Sequence, residues 1–178
     1  NPYRWMEYTL SASTMILIVS YSSGINLELD LLMIFVLIAT TMFFGHLTEE
    51  INKKDEFKNE WTLPLCRRMI PHLMGYLPQI TAWFVIVFVF MDNSEGAPDF
   101  VVYIIWGQLA LFFSFGFVQL AVILRKPSYY VYGEVAYQFL SIFAKGFLGV
   151  IMLTNVIFLS AWPCVVEDLA ERLPEDYC

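Results

Sequence analysis

A single lysine, Lys145, stands in the otherwise largely apolar stretch QFLSIFAKGFLGVIML, residues 138–153. It lies about ten residues or more from either end of its apolar run, which is roughly 15 Å of helix. A desolvated lysine can react as a neutral amine with an aldehyde and form a Schiff base. Ser141 and Gly149 lie one turn before and after Lys145 on the same face. The alternative is a lysine that extends its ammonium group to the membrane surface.

A protonated Schiff base in an apolar site needs an anion nearby, and Glu7 is the candidate. It lies in the first apolar segment, within RWMEYTLSAS, with Arg4 one turn before it and Ser11 one turn after. An arginine at this range favours an ionised carboxylate, and a hydroxyl can hydrogen-bond to it. Glu7 is therefore a candidate counterion. The alternative is an interfacial glutamate that pairs with Arg4.

The composition is that of a polytopic membrane protein. Of the 178 residues, 58% are hydrophobic and only 15% are charged, and the mean hydropathy is +0.61. Soluble domains are about half apolar and about a quarter charged. The net charge of −7 argues against nucleic acid as a partner. Three scattered cysteines, Cys66, Cys164 and Cys178, do not suggest a disulfide framework, although a Cys164–Cys178 pair remains open.

The hydropathy pattern predicts an all-α bundle of five membrane spans, since a spanning helix needs about 20 mostly apolar residues. The expected spans are Trp5–Tyr21, Leu29–Leu47, Ile70–Met91, Phe100–Leu124 and Val131–Trp162. Residues 1–162 then form one transmembrane unit that includes a polar loop at 48–69, and residues 163–178 form an acidic tail. No signal peptide is predicted, because the sequence opens inside an apolar segment.

Charge predicts the orientation of these spans. Eight of the ten lysines and arginines fall on the side that holds the N-terminus, residues 48–69 and residues 125–128. The opposite side has only Arg172, and Lys145 lies within a span. The positive-inside rule therefore predicts a cytoplasmic N-terminus and an extracellular C-terminal tail.

Two motifs resemble those of microbial rhodopsins. One is Arg4-Trp5-Met6-Glu7-Tyr8, and the other is the lysine of the last span. The longer strings NPYRWMEYTLSAS and YGEVAYQFLSIFAKGFLGV are similar to heliorhodopsins in particular. The resemblance implies a seven-helix fold of which these residues match helices C to G, without the first two helices. It also implies a cytoplasmic N-terminus, in agreement with the charge pattern.

The resemblance implies that Lys145 binds all-trans retinal as a Schiff base and that Glu7 is the main counterion. Ser141 stands where ion pumps usually carry a second carboxylate, and Ile18 stands where outward proton pumps commonly carry a proton donor. Both replacements argue against a conventional pump. The expected function is a light sensor in which photoisomerisation at the Schiff base drives a slow conformational signal.

The expected retinal pocket is apolar and aromatic with few polar groups. Its candidate residues are Tyr8, Ser11, Pro78, Trp83, Phe113, Phe115, Phe117, Gln119 and Ser141. Aromatic residues at helical spacing are also typical of ordinary packing, so this alternative stays open for the third and fourth spans. Glu134, three turns before Lys145, is interpreted as an interfacial acid, with a proton relay as the alternative.

The partners expected are the lipid membrane and, as the resemblance implies, a second copy of the chain. The stretch at 48–69 is interpreted as a solvated loop, with binding to the membrane surface or to a cytoplasmic signalling partner as the alternatives. His46 and His72 are interpreted as polar anchors, and no metal site is predicted. No nucleophile–base pair with catalytic spacing is evident, so an enzyme is not expected. Two alternative functions remain, a light-driven or light-gated ion transporter and a membrane scaffold without a chromophore.

Overall fold

The computed structural model describes residues 2–52, 61–92 and 99–160, and these residues form a bundle of five α-helices. The helices are α1 (Pro2–Ser22), α2 (Glu28–Ile51), α3 (Leu65–Asp92), α4 (Asp99–Leu124) and α5 (Tyr130–Ser160), and a short 3-10 turn, Pro127–Tyr129, precedes α5. The described residues contain no strand, which confirms the predicted all-α fold. The predicted tail at 163–178, with Cys164 and Cys178, lies outside the described residues.

Four of these helices, α2 to α5, are long and apolar enough to cross a membrane. The first helix has 21 residues, which is about 31 Å of helix and sufficient to span the hydrocarbon core. It is less apolar than the others, because its first two turns hold Arg4 and Glu7. Length and composition therefore identify four spans, and α1 completes the five-helix bundle.

The connection between α2 and α3 is shorter than the loop predicted at 48–69. The second helix continues to Ile51, and the third begins at Leu65 rather than at Ile70. Arg68 explains the early start of α3, because its side chain is buried and bonded to the neighbouring helices. Its Nε donates to Asn52 Oδ1 at 2.5 Å, a terminal nitrogen donates to the Ile123 carbonyl, and its guanidinium lies 4.1 Å from the Trp61 ring.

A tight turn joins α1 to α2. Gly24 has a φ of 97°, which glycine adopts without the steric penalty of a Cβ. The Ile25 amide donates to the Ser20 carbonyl, and the Gly24 amide donates to the Tyr21 carbonyl, both at 3.1 Å. These two bonds form a Schellman motif that ends α1. Glu28 and Asp30 then lie in the first turn of α2, where negative charge stabilises a helix N-terminus.

Each helix packs against the next one along the chain, and α1 also contacts α4. The buried apolar core lies at the end of the bundle that holds the α1–α2 turn. Its fully buried members include Ile16, Val19, Ile34, Ile38, Ile86, Ile104 and Ile105. The opposite half of the bundle holds the buried arginines, Arg4 and Arg68, and the buried His72, and Gln79 is buried near the middle of α3. Candidate functional groups therefore concentrate in that half and in the middle of the helices.

Candidate functional site

The centre of the site is an ion pair between α5 and α1. Lys145 Nζ lies 2.6 Å from Glu7 Oε1, so the ammonium group donates a short, charge-assisted hydrogen bond to the carboxylate. The same Nζ lies 5.9 Å from the centre of the Tyr8 ring. Two residues that are 138 positions apart in the sequence are thus brought together, and the Tyr8 ring flanks them.

The pair lies beside an open groove rather than in a closed interior. The Lys145 side chain is 37% exposed and that of Glu7 is 58% exposed, whereas the sequence suggested burial. The groove encloses ≈ 420 Å³ and is lined by Glu7, Leu10, Ser11, Thr14, Met15 and Lys145. It is open because few backbone positions of α1 and α5 approach each other, and the two helices meet through long polar side chains.

On the inner side of the pair lies an apolar cavity of ≈ 40 Å³. Four of the residues predicted for the site, Tyr8, Ser11, Ser141 and Lys145, line it together. Phe115, also predicted, contributes to its wall. The remaining lining residues were not expected from the sequence, and they are Ala12, Met15, Met42, Phe112 and Ala144.

The cavity continues inward between α2, α3 and α4. A second cavity of ≈ 50 Å³ shares Tyr8, Met42, Phe112 and Phe115 with the first. It extends to Gln79 and Gln119, which are polar. The two cavities together form a narrow slot that begins at Lys145 and passes between aromatic side chains towards the third helix.

The inward face of α4 is marked by two glutamines. Gln108, Phe112, Phe115 and Gln119 are spaced by four, three and four residues, so they form one stripe along the helix. Gln108 is fully buried and donates to the Ala144 carbonyl at 3.0 Å, and Gln119 donates to the Gly45 carbonyl at 3.0 Å. Because polar side chains in a membrane helix face the bundle interior, this stripe is the signal in the sequence that could have identified Phe112, which was missed.

The other predicted pocket residues do not line the cavity at Lys145. Trp83 is buried and packs edge-on against Phe112 at 5.5 Å, so it lies behind the wall. Phe113 stacks on Tyr76 at 6.3 Å, and Pro78 is buried within α3. Phe117 is 63% exposed and lies off the glutamine stripe. Gln119 lines the second cavity but not the cavity at Lys145.

Arg4 binds acids other than Glu7. Its guanidinium contacts Glu49 Oε1 at 2.5 Å and also contacts the Glu134 carboxylate. The Tyr130 hydroxyl donates to Glu49 at 2.8 Å, and Trp5 Nε1 donates to the other oxygen of Glu49 at 2.5 Å. The predicted alternative of an Arg4–Glu7 pair is therefore not what the structure contains. Glu49 was missed, because it stood at the edge of a polar stretch that was interpreted as a loop.

Among the residues that the structure describes, the two histidines, His46 and His72, lie beside an aromatic ring and an amide rather than in a group of metal-binding side chains. His46 packs against the Trp5 ring at 6.3 Å, and His72 Nδ1 lies 3.0 Å from Gln119 Oε1. Within the described part of the chain, no three residues among histidine, cysteine, aspartate and glutamate are grouped so that they could hold a metal ion.

Comparison with known protein families identifies the chain. The family model described as Heliorhodopsin matches residues 1–157. The chain belongs to the heliorhodopsin family. Heliorhodopsins are rhodopsin-type light-sensing membrane proteins, and membership implies a retinal chromophore and an integral membrane location. No curated protein matches the chain.

Proposed function

We propose that this heliorhodopsin is a photoreceptor that holds retinal on Lys145, with Glu7 as counterion, and that it signals without conventional ion pumping. The observation that carries the proposal is the 2.6 Å contact between Lys145 Nζ and Glu7 Oε1. A cation attached at Lys145 requires an anion at this distance, because an unpaired charge at bilayer depth is costly. The function is that of a sensor rather than an enzyme.

The residues around Lys145 suit retinal. The amine opens onto a slot with apolar and aromatic walls, and the hydroxyls of Ser11, Ser141 and Tyr8 are among its few polar groups. The slot is narrow, but Met15 and Met42 line it, and methionine adapts to irregular space because it has three rotatable bonds. When bound, retinal supplies light absorption and a change of shape on excitation. Lys145 would hold it, and Phe112 and Phe115 would flank it.

The chain's own residues provide a route from the site to the cytoplasmic half. Glu7 and Arg4 share one face of α1, so a weaker Glu7–Lys145 attraction changes the position of the turn that also carries Arg4. Arg4 links α1 to Glu49 on α2 and to Glu134 on α5. We propose that this linkage transmits the signal, with the relative positions of α1, α2 and α5 as the element that changes.

The positions of Ser141 and Ile18 favour a sensor over a pump. Ser141 lines the cavity at Lys145 with a neutral hydroxyl, so Glu7 is the strong anion on this side of the lysine. Ile18 is 39% exposed on α1 and has no group that donates a proton. The transporter alternative predicts a light-evoked current in voltage clamp, and the sensor predicts none.

The membrane arrangement is part of the proposal. The distribution of lysines and arginines supports a cytoplasmic N-terminus and an extracellular tail. The groove beside Glu7 and Lys145 would expose an ion pair to hydrocarbon, so we propose that further helices cover it, as a seven-helix fold implies. A homodimer is expected from the family, and the charged sequence at residues 48–69 is proposed to bind a cytoplasmic signalling partner.

An absorption spectrum tests the proposal. All-trans retinal is added to the purified wild type, to Lys145→Ala and to Lys126→Ala. Lys126 is the control, an exposed lysine that follows α4. A visible band is expected for the wild type and for Lys126→Ala, and it is expected to be absent in Lys145→Ala. Borohydride reduction followed by peptide mass spectrometry is expected to place the added mass on Lys145. A colourless wild type, or a band that survives in Lys145→Ala, would refute the proposed attachment.

A further inference from the structure

A polar cluster lies between α2, α3 and α4, apart from the Lys145–Glu7 pair. It surrounds a cavity of ≈ 30 Å³. The side chains that matter are His72, Gln79, Gln119 and Thr41. Each of the three helices contributes a glycine to the lining, Gly45, Gly75 and Gly116. His72 and Gln79 are more than nine-tenths buried, so their polar atoms need partners inside the protein.

The hydrogen bonds of Gln119 determine the protonation of His72. The Gly45 carbonyl can only accept a hydrogen bond, so the Gln119 Nε2 that lies 3.0 Å from it is the donor. Gln119 Oε1 therefore faces His72, and its distance to Nδ1 is 3.0 Å. Since Oε1 can only accept, Nδ1 must donate to it. In a neutral imidazole the proton is then on Nδ1, and Nε2 carries a lone pair.

Two complementary groups remain at the cavity. His72 Nε2 is buried and has no hydrogen-bond partner among the described residues, and as derived it is an acceptor. Gln79 Nε2 is also buried and lacks a partner in the described part of the chain, and it is a donor. The Thr41 hydroxyl donates to the Leu37 carbonyl at 3.1 Å, which leaves its own lone pairs free to accept. A buried polar group without a partner is unfavourable, because it has lost its hydrogen bonds to water.

We infer that this cavity binds ordered water that bridges Gln79 to His72. One water accepts from Gln79 Nε2 and donates to a second water, the second water donates to His72 Nε2, and a remaining hydrogen is directed towards Thr41. A buried water needs about 10–15 Å³ and two to four polar partners. The cavity of ≈ 30 Å³ therefore has room for about two water molecules. His72 and Gln79 are two helical turns apart on one face of α3, about 10 Å along the axis, and a pair of waters can span that separation.

No step in the inference uses retinal, and the experiment below does not require the chromophore. The cavity adjoins the inner end of the slot, with which it shares lining residues of α2, α3 and α4, namely Thr41, Gly45, Gln79, Gly116 and Gln119. The inference concerns the contact between α2, α3 and α4, where some polar side-chain atoms have no direct hydrogen bond to another described side chain. A bridging water is almost as favourable in enthalpy as a direct hydrogen bond. The water would therefore connect Gln79 to the bonds that already join His72, Gln119 and Gly45.

Nitrogen NMR of histidine-labelled protein in lipid nanodiscs tests the inference, because the chain has only two histidines. A His46→Gln variant assigns the two rings. For His72 we expect a protonated Nδ1, a non-protonated Nε2, and magnetisation transfer from water protons to Nε2. A protonated Nε2, or no transfer from water in the wild type, would overturn the proposal.

Two glutamine variants test whether the magnetisation transfer depends on Gln79. Gln79→Leu removes the donor to the water and is expected to abolish the transfer to His72 Nε2. Gln108→Leu is the matched control, since Gln108 is an equally buried glutamine that bonds to the Ala144 carbonyl instead. It is expected to leave the transfer unchanged. An equal loss in both variants would contradict the bridge. The wild-type spectrum decides the proposal even where a variant does not fold.

Discussion

Arg4 and Glu7 stand one turn apart on α1, yet each belongs to a different ion pair. Glu7 meets Lys145 on α5, and Arg4 meets Glu49 on α2 and Glu134 on α5. One helix thus carries the proposed counterion and the cation that links three helices. Because the two residues have different partners, the two pairs are separable targets for mutation.

Neutralising Glu7 is expected to shift the visible band to longer wavelength. Excitation moves positive charge away from the lysine nitrogen, so a nearby anion stabilises the ground state more than the excited state. Two unit charges about 4 Å apart attract each other by about 4 kcal/mol at an effective dielectric constant of about 20, so the anion has a measurable effect. The measurement is the absorption maximum of Glu7→Gln. Glu28→Gln, at the exposed start of α2, is the control, and equal maxima in all three proteins would exclude Glu7 as counterion.

Removing Arg4 is expected to destabilise the bundle strongly. Arg4→Gln leaves two carboxylates, Glu49 and Glu134, without their cation in a largely buried setting, and breaking a buried pair in this way costs about 3–5 kcal/mol. Thermal denaturation in nanodiscs measures the loss. Arg125→Gln is the comparison, because Arg125 is exposed and such residues contribute about 0–1 kcal/mol. Similar losses in the two variants would mean that the Arg4 linkage is weak.

The two sides of α4 are expected to respond differently to truncation. Phe112 is 6% exposed and lines the slot, whereas Phe117 is 63% exposed. Phe112→Ala is expected to lower the stability by about 3–5 kcal/mol and to slow formation of the visible band after retinal is added. Phe117→Ala is expected to change both quantities little. A larger effect of Phe117→Ala than of Phe112→Ala on band formation would support the prediction that Phe117 contacts the ligand and would contradict the role given to Phe112.

Adding a methyl group at Gly45 is expected to be costly. A Cβ there would lie 2.4 Å from the Trp5 ring, and Trp5 is held in place by its hydrogen bond to Glu49. Overpacking of this kind costs about 1–3 kcal/mol. At Gly149 a Cβ meets no atom within 4 Å, so Gly149→Ala is expected to be neutral or to gain up to about 1 kcal/mol of helix propensity. Thermal denaturation measures the stability of Gly45→Ala and of Gly149→Ala. Equal stabilities would show that the Trp5 ring moves away from the added methyl group at little cost.

The sequence was sufficient for the helical bundle and for the Lys145–Glu7 pair, because apolar spans and isolated charges within them are strong local signals. The walls of the slot were harder to predict. The fourth helix is apolar on every side, so its aromatic residues do not mark one face by themselves, and only Gln108 and Gln119 distinguish Phe112 and Phe115 from Phe113 and Phe117.

The partner of Arg4 could not be predicted from spacing either. Spacing on α1 favours Glu7 as the acidic partner of Arg4. Glu49 and Glu134 come within reach of Arg4 only after α2 and α5 have packed against α1. Glu49 lay in a stretch whose charge suggested a solvated loop, although α2 continues through it to Ile51. Contacts between distant segments thus decide a choice that local patterns left open.

The placement of the apolar core at one end of the bundle makes the two halves unequal in their resistance to local opening. Backbone amides near Ile34, Ile86 and Ile104 are surrounded by close-packed aliphatic side chains, whereas those near Gly45, Gly75 and Gly116 adjoin cavities. Local unfolding free energies follow such differences, so deuterium uptake should be slow at the first set and faster at the second. Helix motion would then pivot about the packed end and have its largest amplitude at the opposite membrane surface, which gives the response a direction before any partner binds.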